Sequence, residues 1–549
     1  MKKIKQIFAV CLSLLLLIGC KKDFLSFDFN EGPVSEEDVW SSDRLARGFL
    51  NSCYSGLQAR YDLSSGAMLS MASDEAVCSN LSNSVNIINN GTWGPLRSFD
   101  DRYSTLYGDV RATNIFLEKA PGSFIFPVSD IPKLRGEAFF LRAFFHFELF
   151  RRYGRIVVAT RSFKPEENLN IPRNTIEEVV KQISDDCDSA ANLIDVAWSR
   201  DWDNANKGRA TQAAALALKS RVLLYAASPL YNPTNDVTKW QAAADAAKAL
   251  IDMNKHGLLS STDFLKLWDF SNGATQYNKE VIFATVATNT NSIESNNAPI
   301  GFTGGLGRTN PTQNLVDAFE MSNGKLISDP TSGYNPSNPY AGRDPRLNRF
   351  IVYNGATFKT GSLSRAVETF EGGKDNLTIN VNSTKTGYYM RKFLSEGASF
   401  NVTGPASIRR PWVIFRYAEI LLNYAEALNE ANGNSPEVED AVKQVRTRAG
   451  MPALPAGLSQ SEMRERIRNE RRVELCFEEH RFFDVRRWKM GETIFNGPVR
   501  GMKITKNGAV LTYEPFVVEN RIFEPKNYLY PLLQSEVNKA PEIQQNPGY

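Results

Sequence analysis

Histidine is scarce in this chain, and the shortage removes much chemistry at once. Its three histidines, His146, His256 and His480, never fall in a His-Glu-x-x-His arrangement, so a helix-borne zinc hydrolase site is excluded. The six cysteines (Cys11, Cys20, Cys53, Cys78, Cys187, Cys476) contain no Cys-x-x-Cys pair, which removes zinc-ribbon and thiol-redox readings. No Gly-Lys-Ser/Thr tripeptide exists, and residues 301–307, GFTGGLG, lack the spacing of a dinucleotide loop; they are expected to be a flexible loop. A net charge of +3 without a long Lys/Arg run is too little to follow a phosphate backbone, so no nucleic-acid partner is expected. Long apolar runs are missing too: the one at residues 7–18 is too short to span a bilayer. No cofactor or metal is expected. Asp201, Asp203, Asn204 and Asn206 suggest a cation loop, but Ala205, Asn206 and Gln212 occupy its fifth, sixth and twelfth positions, where a ligand, Gly and Glu are needed.

What is present begins with 42% hydrophobic residues, ample for a sizeable core. Lys2, Lys3 and Lys5 precede the apolar run, making residues 1–19 a secretory signal peptide. The run ends in Leu17-Ile18-Gly19-Cys20, which resembles a bacterial lipobox. Lipidation is therefore expected at Cys20, with residues 20–34 as the tether, since acyl chains at about 0.8 kcal/mol per buried CH₂ anchor without a transmembrane helix. Cys476 reads as a buried thiol, and Cys53 with Cys78 is the one pair to test for a disulfide.

Beyond the tether the pattern is helical. Ser35 with Asp38 makes a near capping box, and apolar spacing carries a helix towards Tyr61. Residues 63–100 are Ser-, Asn- and Gly-rich and read as a loop. Helices follow near 102–119, 135–154, 208–228, 237–253, 415–433 and 436–449, with small residues set among large aromatics. His146 lies on such a face and reads as a hydrogen-bonded core residue. The fold class is mainly α, in tetratricopeptide-like helix pairs that cannot bury their faces alone. A long loop and short-strand region interrupts them. The boundaries are an N-terminal helical part 35–262, an insertion 263–411 with a strand at 280–288, and a C-terminal helical part 412–549. Such an insertion on a rigid frame is where binding residues tend to sit.

Residues 464–488, RERIRNERRVELCFEEHRFFDVRRW, contain neither Gly nor Pro and predict two helices joined by a tight turn. Their aromatics are interleaved with charge, so packing them draws ion pairs inward. Arg471, Glu474, Glu478, Arg481 and Asp484 are expected to form a structural ion-pair knot. Spacing proposes Arg466 to Glu470, Arg471 to Glu474, Glu478 to Arg481 and Asp484 to Arg487. Glu474 and Glu478, like charges one turn apart, call for cations between them. A catalytic cluster at Glu478, Glu479 and His480 is the weaker reading, because arginines crowd it.

The block ERRVELCFEEHRFFDVRRW resembles the ERR-x-EL-x-FE-x2-R-x2-D-x-RRW signature of the SusD/RagB family of Bacteroidetes outer-membrane nutrient-binding lipoproteins. NLVDAFEMSNGK (314–325), GRDPRL (342–347), FRYAEILLNYAEALNE, VRTRAGMP (445–452) and the ending YLYPLLQSEVNKAPEIQQNPGY resemble further blocks in the family's order. The resemblance implies a non-catalytic, lipid-anchored protein on the extracellular face of the outer membrane. Such a protein captures a glycan and delivers it to a SusC-like TonB-dependent transporter. It also implies that ligand contacts come from the early loop and the insertion.

Sugar binding needs flat apolar faces with amides, carboxylates and Arg nearby. Trp93, between Gly91 and Gly94, is the first candidate, with Asn90 and Arg97 beside it and Asp74 as a polar partner; Trp93 packed beneath its own loop is the plain alternative. Tyr277, Phe302, Tyr334 and Tyr340 are the candidates from the insertion, whereas Trp268 reads as core. Capture of peptides or other nutrients by the same architecture remains open, as does, with less support, a glycosidase pairing Asp74 with a distant Glu.

Overall fold

The computed structural model describes residues 35–549 except 59–65, 67, 121–125, 165, 195–206, 271–276 and 402–403. Cys20, the leader, the tether 20–34 and the candidate cation loop at 201–206 lie outside the described residues.

Ser35 accepts a hydrogen bond from the Asp38 N–H, completing a capping box. The helix it starts ends at Ser41, and Ser42 caps a second one, α1 (Asp43–Cys53), by accepting from the Leu45 N–H. A single helix was expected there; the extended Ser42 breaks it because its hydroxyl serves a new N-terminus. The frame then comprises α2 (Tyr103–Lys119), α3 (Ile131–Tyr153), α4 (Ile176–Leu193), α5 (Gln212–Ala227) and α6 (Val237–Asp252). After the insertion come α7 (Tyr417–Asn432), α8 (Pro436–Ala449), α9 (Gln460–Glu474) and α10 (His480–Arg487). Consecutive helices from α2 to α8 pack as neighbours, a mainly α architecture of stacked pairs. Small residues set the spacing: a Cβ on Gly136 of α3 would lie 2.7 Å from Ile194 Cγ1. His146 is buried, and its Nε2 accepts from the Ala159 N–H at 3.2 Å. Burial pushes its pKa down to about 3, so it is a neutral core residue.

Although α6 and α7 are packed together, the chain makes a long excursion between them. It leaves and returns through antiparallel pairs, Val281–Ala284 with Val413–Arg416 and Thr288–Thr290 with Ile408–Arg410. The excursion carries short helices (Ser292–Asn297, Gln313–Ala318, Pro345–Phe350) and a small core of its own around Phe302, Val352, Phe358, Val367 and Tyr389. Two long elements had not been expected, α4 and a C-terminal hairpin. In the C-terminal part, Gly497–Asn507 and Val510–Arg521 form a long hairpin across a Gly508-Ala509 turn, with Gly508 at φ +61°. A Gly at the first of two central residues is the signature of a type II′ hairpin turn.

α9 and α10 form the anticipated helix hairpin, joined by residues 475–479, where Phe477 and Glu479 hold φ of +64° and +66°. Around it the ion pairs are tertiary rather than local. Glu474, fully buried, accepts from Arg416 at 2.7 Å, from Arg346 at 3.0 Å and from Arg448. Arg416 also reaches Glu478 at 2.6 Å and Glu280 at 3.1 Å, so it is the cation that reconciles Glu474 with Glu478. Arg471 pairs with Asp484 at 3.2 Å, and Arg481 with Asp74 at 2.8 Å. Of the four pairs proposed from spacing, Asp484 to Arg487 forms, at 2.8 Å. The others do not: Arg466 turns to Glu320, while Arg346 and Arg446 take Glu470. Buried carboxylates take the nearest desolvated guanidinium, wherever the chain supplies it. The three arginines hold the Glu474 carboxyl well below its usual range despite burial.

Glu474→Ala strands those three guanidiniums and is expected to cost about 3–5 kcal/mol. Glu465→Ala, which removes an exposed i,i+3 partner of Arg468, should cost less than about 1 kcal/mol. Urea midpoints of the two variants, compared at constant slope, check this.

Candidate ligand-binding site

The early loop and the insertion meet at a strand pair. Ala76–Cys78 runs antiparallel to Thr309–Pro311, with Cys78 opposite Thr309. The junction is locked on both sides: the Thr312 hydroxyl donates to Asp74 O at 2.6 Å, and the Ser79 N–H donates to Arg308 O at 3.0 Å. Arg308 continues from the GFTGGLG loop, which is a set of packed turns. Gly307 has φ +50°, and a Cβ there would lie 2.7 Å from the Tyr389 ring, so no other residue fits.

This seam presents a mixed surface. Arg308, half-buried, donates to Asn382 Oδ1 at 3.0 Å and has no carboxylate partner among the described residues; its Nε is buried and unpartnered. Lys385, whose backbone N–H donates to Asn310 Oδ1, directs its ammonium to Val381 O at 3.1 Å. Burial lowers the Lys385 pKa from its ordinary value. Val381 (80% exposed), adjacent to Asn382, and Ile379 (47%) belong to the same stretch, and Leu81 (63%) is exposed two residues beyond Ser79. A guanidinium, an ammonium and an amide next to apolar side chains can bind hydroxyls while covering C–H surface. Among the described residues, no group of three or more His, Cys, Asp or Glu could hold a metal ion.

Comparison with known proteins identifies the family of the fold. A model described as SusD family matches residues 279–549, and one described as starch-binding, associating with outer membrane, matches residues 33–224. The chain belongs to the SusD family. A SusD-like protein of Formosa agariphila is 24% identical, over 91% of this chain and 95% of its own length. A solved SusD-like protein from Bacteroides fragilis superposes with a TM-score of 0.79 at 28% identity, covering 94% of this chain and all of that one. A laminarin-binding SusD-like protein shares the fold, with a TM-score of 0.63 at 20% identity over 93% of this chain and all of its own.

Against this SusD frame several expected ligand residues prove to be internal. Trp93 is only 2% exposed and packs edge-on against Tyr530 (4.6 Å between centroids) and Tyr549 (6.5 Å). It is covered by the C-terminal segment, so it cannot be a sugar platform. Asp74 is buried between Arg472 (2.6 Å) and Arg481 (2.8 Å). Their charges hold its pKa down to about 2 despite burial, which removes it both as a ligand partner and as a catalytic acid. Phe302 is fully buried, with the Arg365 guanidinium 4.0 Å from its centroid. The glycines and Asn residues around these side chains had suggested exposure; distant segments cover them.

Others stay at the surface. Asn90 is exposed, its Oδ1 engaged by the Thr92 N–H and hydroxyl, and Arg97 is exposed at the Gly94–Arg97 turn. Tyr277 is half-buried and donates to Thr285 O at 2.8 Å. Tyr334 and Tyr340 converge: Tyr340 stacks on Tyr353 at 4.2 Å and meets Tyr388 and Tyr513 edge-on, while Arg343 lies 5.5 Å from the Tyr334 ring. The seam residues Arg308, Asn382 and Lys385 were missed, although an Arg directly after a Gly-rich loop was a usable signal. All four described cysteines, Cys53 and Cys78 among them, are free and buried.

One carboxyl behind the seam is poorly placed for ionisation. Glu75 is buried, accepts one long bond from the Phe477 N–H (3.3 Å) and leaves Oε1 unpartnered. Burial, with the neighbouring Asp74 charge, pushes its pKa up to about 8. A pKa raised on folding favours the folded state at low pH, and that contribution is lost as pH rises from about 4.3 through the folded value. The wild-type chain should therefore lose stability relative to Glu75→Gln by up to about 1.4 kcal/mol per pH unit between pH 5 and 8. Urea melts of both proteins across that range check it. Trp93→Ala is expected to cost about 3–5 kcal/mol while glycan affinity, measured on the folded fraction, stays unchanged.

Proposed function

We propose that this SusD-family chain is a non-catalytic, cell-surface glycan-binding lipoprotein that holds its ligand on the seam between the early loop and the insertion. The observation that carries the reading is Arg308: a half-buried guanidinium without a carboxylate partner among the described residues, bonded to Asn382, whose exposed neighbour Val381 takes the Lys385 ammonium on its carbonyl. Sugar hydroxyls satisfy such donors, and the aliphatic neighbours cover the C–H faces. The laminarin-binding relative and the starch-binding description of the matched family model support a glycan as the ligand. A non-catalytic role fits the state of the carboxylates, since Asp74 and Glu478 are held in buried ion pairs.

The same reading places lipid on Cys20 and the chain on the outer face of the outer membrane, passing its glycan to a SusC-like TonB-dependent transporter. Family membership, the association with the outer membrane in the matched description and the lipobox-like LIGC support these assignments. Among the described residues no helix is long and apolar enough to cross a membrane.

The test is affinity electrophoresis of the soluble form, begun after Cys20, against neutral plant and microbial polysaccharides. At least one glycan should retard the protein, and Arg308→Ala should weaken that binding by at least tenfold. Retardation unchanged in Arg308→Ala but lost in Tyr353→Ala would move the site to the tyrosine cluster.

A further inference from the structure

A cavity lies within the insertion, away from the seam. Its volume is about 550 Å³, inside the range of roughly 300–1,000 Å³ common for small-molecule sites. Phe264, Trp268 and Phe350 line it, together with Arg349 and Arg391.

Its two arginines differ from those of the knot. Arg349, on the short helix Pro345–Phe350, makes no ion pair among the described residues, and its Nη1 is buried without a hydrogen-bond partner. The nearest cations, Arg448 and Arg346, repel it. The Asp344 and Glu474 carboxylates attract it without an ion pair among the described residues, and the Phe264 ring lies 5.6 Å away. Arg391 donates from Nη2 to Thr357 O at 2.7 Å, while its Nε is buried and unpartnered. Trp268 adds a third buried donor, Nε1, that no acceptor meets. The carboxylates on the same wall are engaged: Glu396 pairs with Lys359 at 3.3 Å, and Asp269 accepts from the Ser395 hydroxyl at 2.6 Å. Most buried guanidiniums of this protein pair with carboxylates, whereas Arg173, Arg343 and Arg486 turn to carbonyls and an amide among the described residues. Arg349 and Arg391, both half-buried, line the cavity without an ion pair among the described residues, with Glu396 near enough to favour the charge of Arg391.

Buried unpaired donors cost free energy and persist where something else supplies the acceptor. Guanidinium forks select a planar or tetrahedral oxyanion, and aromatic walls take the apolar face of a ring. We propose that this cavity is a second ligand site that binds an acidic sugar residue. Its carboxylate or sulfate ester is held by Arg349 and Arg391. The proposal rests on the reading of the chain as a glycan binder and narrows the ligand to saccharides that carry negative charge.

Isothermal titration of the full chain in detergent tests it with four probes: trigalacturonate, its methyl ester, a sulfated carrageenan oligosaccharide and neutral laminarin oligosaccharide. Trigalacturonate or the sulfated probe should bind, which also identifies the oxyanion, and the methyl ester should bind at least tenfold more weakly than the free acid. Arg349→Gln and Arg391→Gln should each weaken the anionic probe at least tenfold without lowering the melting temperature. Lys181→Gln, an equal loss of charge on α4, should change nothing. Anion binding retained in Arg308→Ala while laminarin binding is lost separates this cavity from the seam and supports it. Failure of both anionic probes to bind the wild-type chain overturns the proposal, and so does anion binding indifferent to both arginine substitutions.

Discussion

Everything in this molecule is arranged around a single buried carboxylate and the three guanidiniums that surround it. Glu474 comes from α9, Arg448 from α8, Arg416 from the strand that leads into α7, and Arg346 from the insertion. Removing that many charges from water is expensive, and a well-packed apolar cluster of the same volume could be as stable. What charge adds is direction. Each guanidinium fork donates to oxygen in one plane, so four segments far apart in sequence are held at fixed angles as well as fixed distances. An apolar contact tolerates sliding; this one does not.

The seam inherits that rigidity. Asp74 is fastened to Arg472 and Arg481 of the helix hairpin, and one residue later Glu75 receives the Phe477 N–H from the strained turn between α9 and α10. Strand Ala76–Cys78 therefore starts from a point fixed by the knot, and pairs at once with the insertion. A non-Gly residue at positive φ costs of order 1–3 kcal/mol and persists only where its surroundings over-determine it. At Phe477 and Glu479 the surroundings include Lys392, whose ammonium donates to Glu474 O, Cys476 O and Glu478 Oε1. The binding face is in this way an outgrowth of the frame, not a loop laid over it.

What could be read from the residues alone divides along a physical line. Helix positions such as α8 were legible because caps and breakers are local, and α10 because its stretch holds neither Gly nor Pro. The residues of the knot were legible because aromatics interleaved with charge leave no solvated face. Which charge meets which was not: Arg466 finds Glu320, and Arg481 finds Asp74, across sequence separations that spacing rules do not reach. Trp93 failed for the same reason, since its cover, Tyr530 and Tyr549, lies more than four hundred positions away. The hairpin at 497–521 was a different miss. Its Gly508-Ala509 turn between alternating residues is a local signal, overlooked because the surrounding pattern is helical.

The neck of the insertion bears on how such a protein can diverge. Its two ends leave the frame side by side, in paired strands between helices that already touch, so the frame does not depend on the length of what hangs between them. Loops beyond the neck can lengthen, shorten or trade surface chemistry without disturbing the helical stack. The freedom has a limit set by Glu280, Arg346 and Lys392, which reach back into the knot from both ends and the middle of the excursion. A transplanted insertion would have to bring those three charges with it, as a key brings its teeth, or leave the lock of the frame unturned.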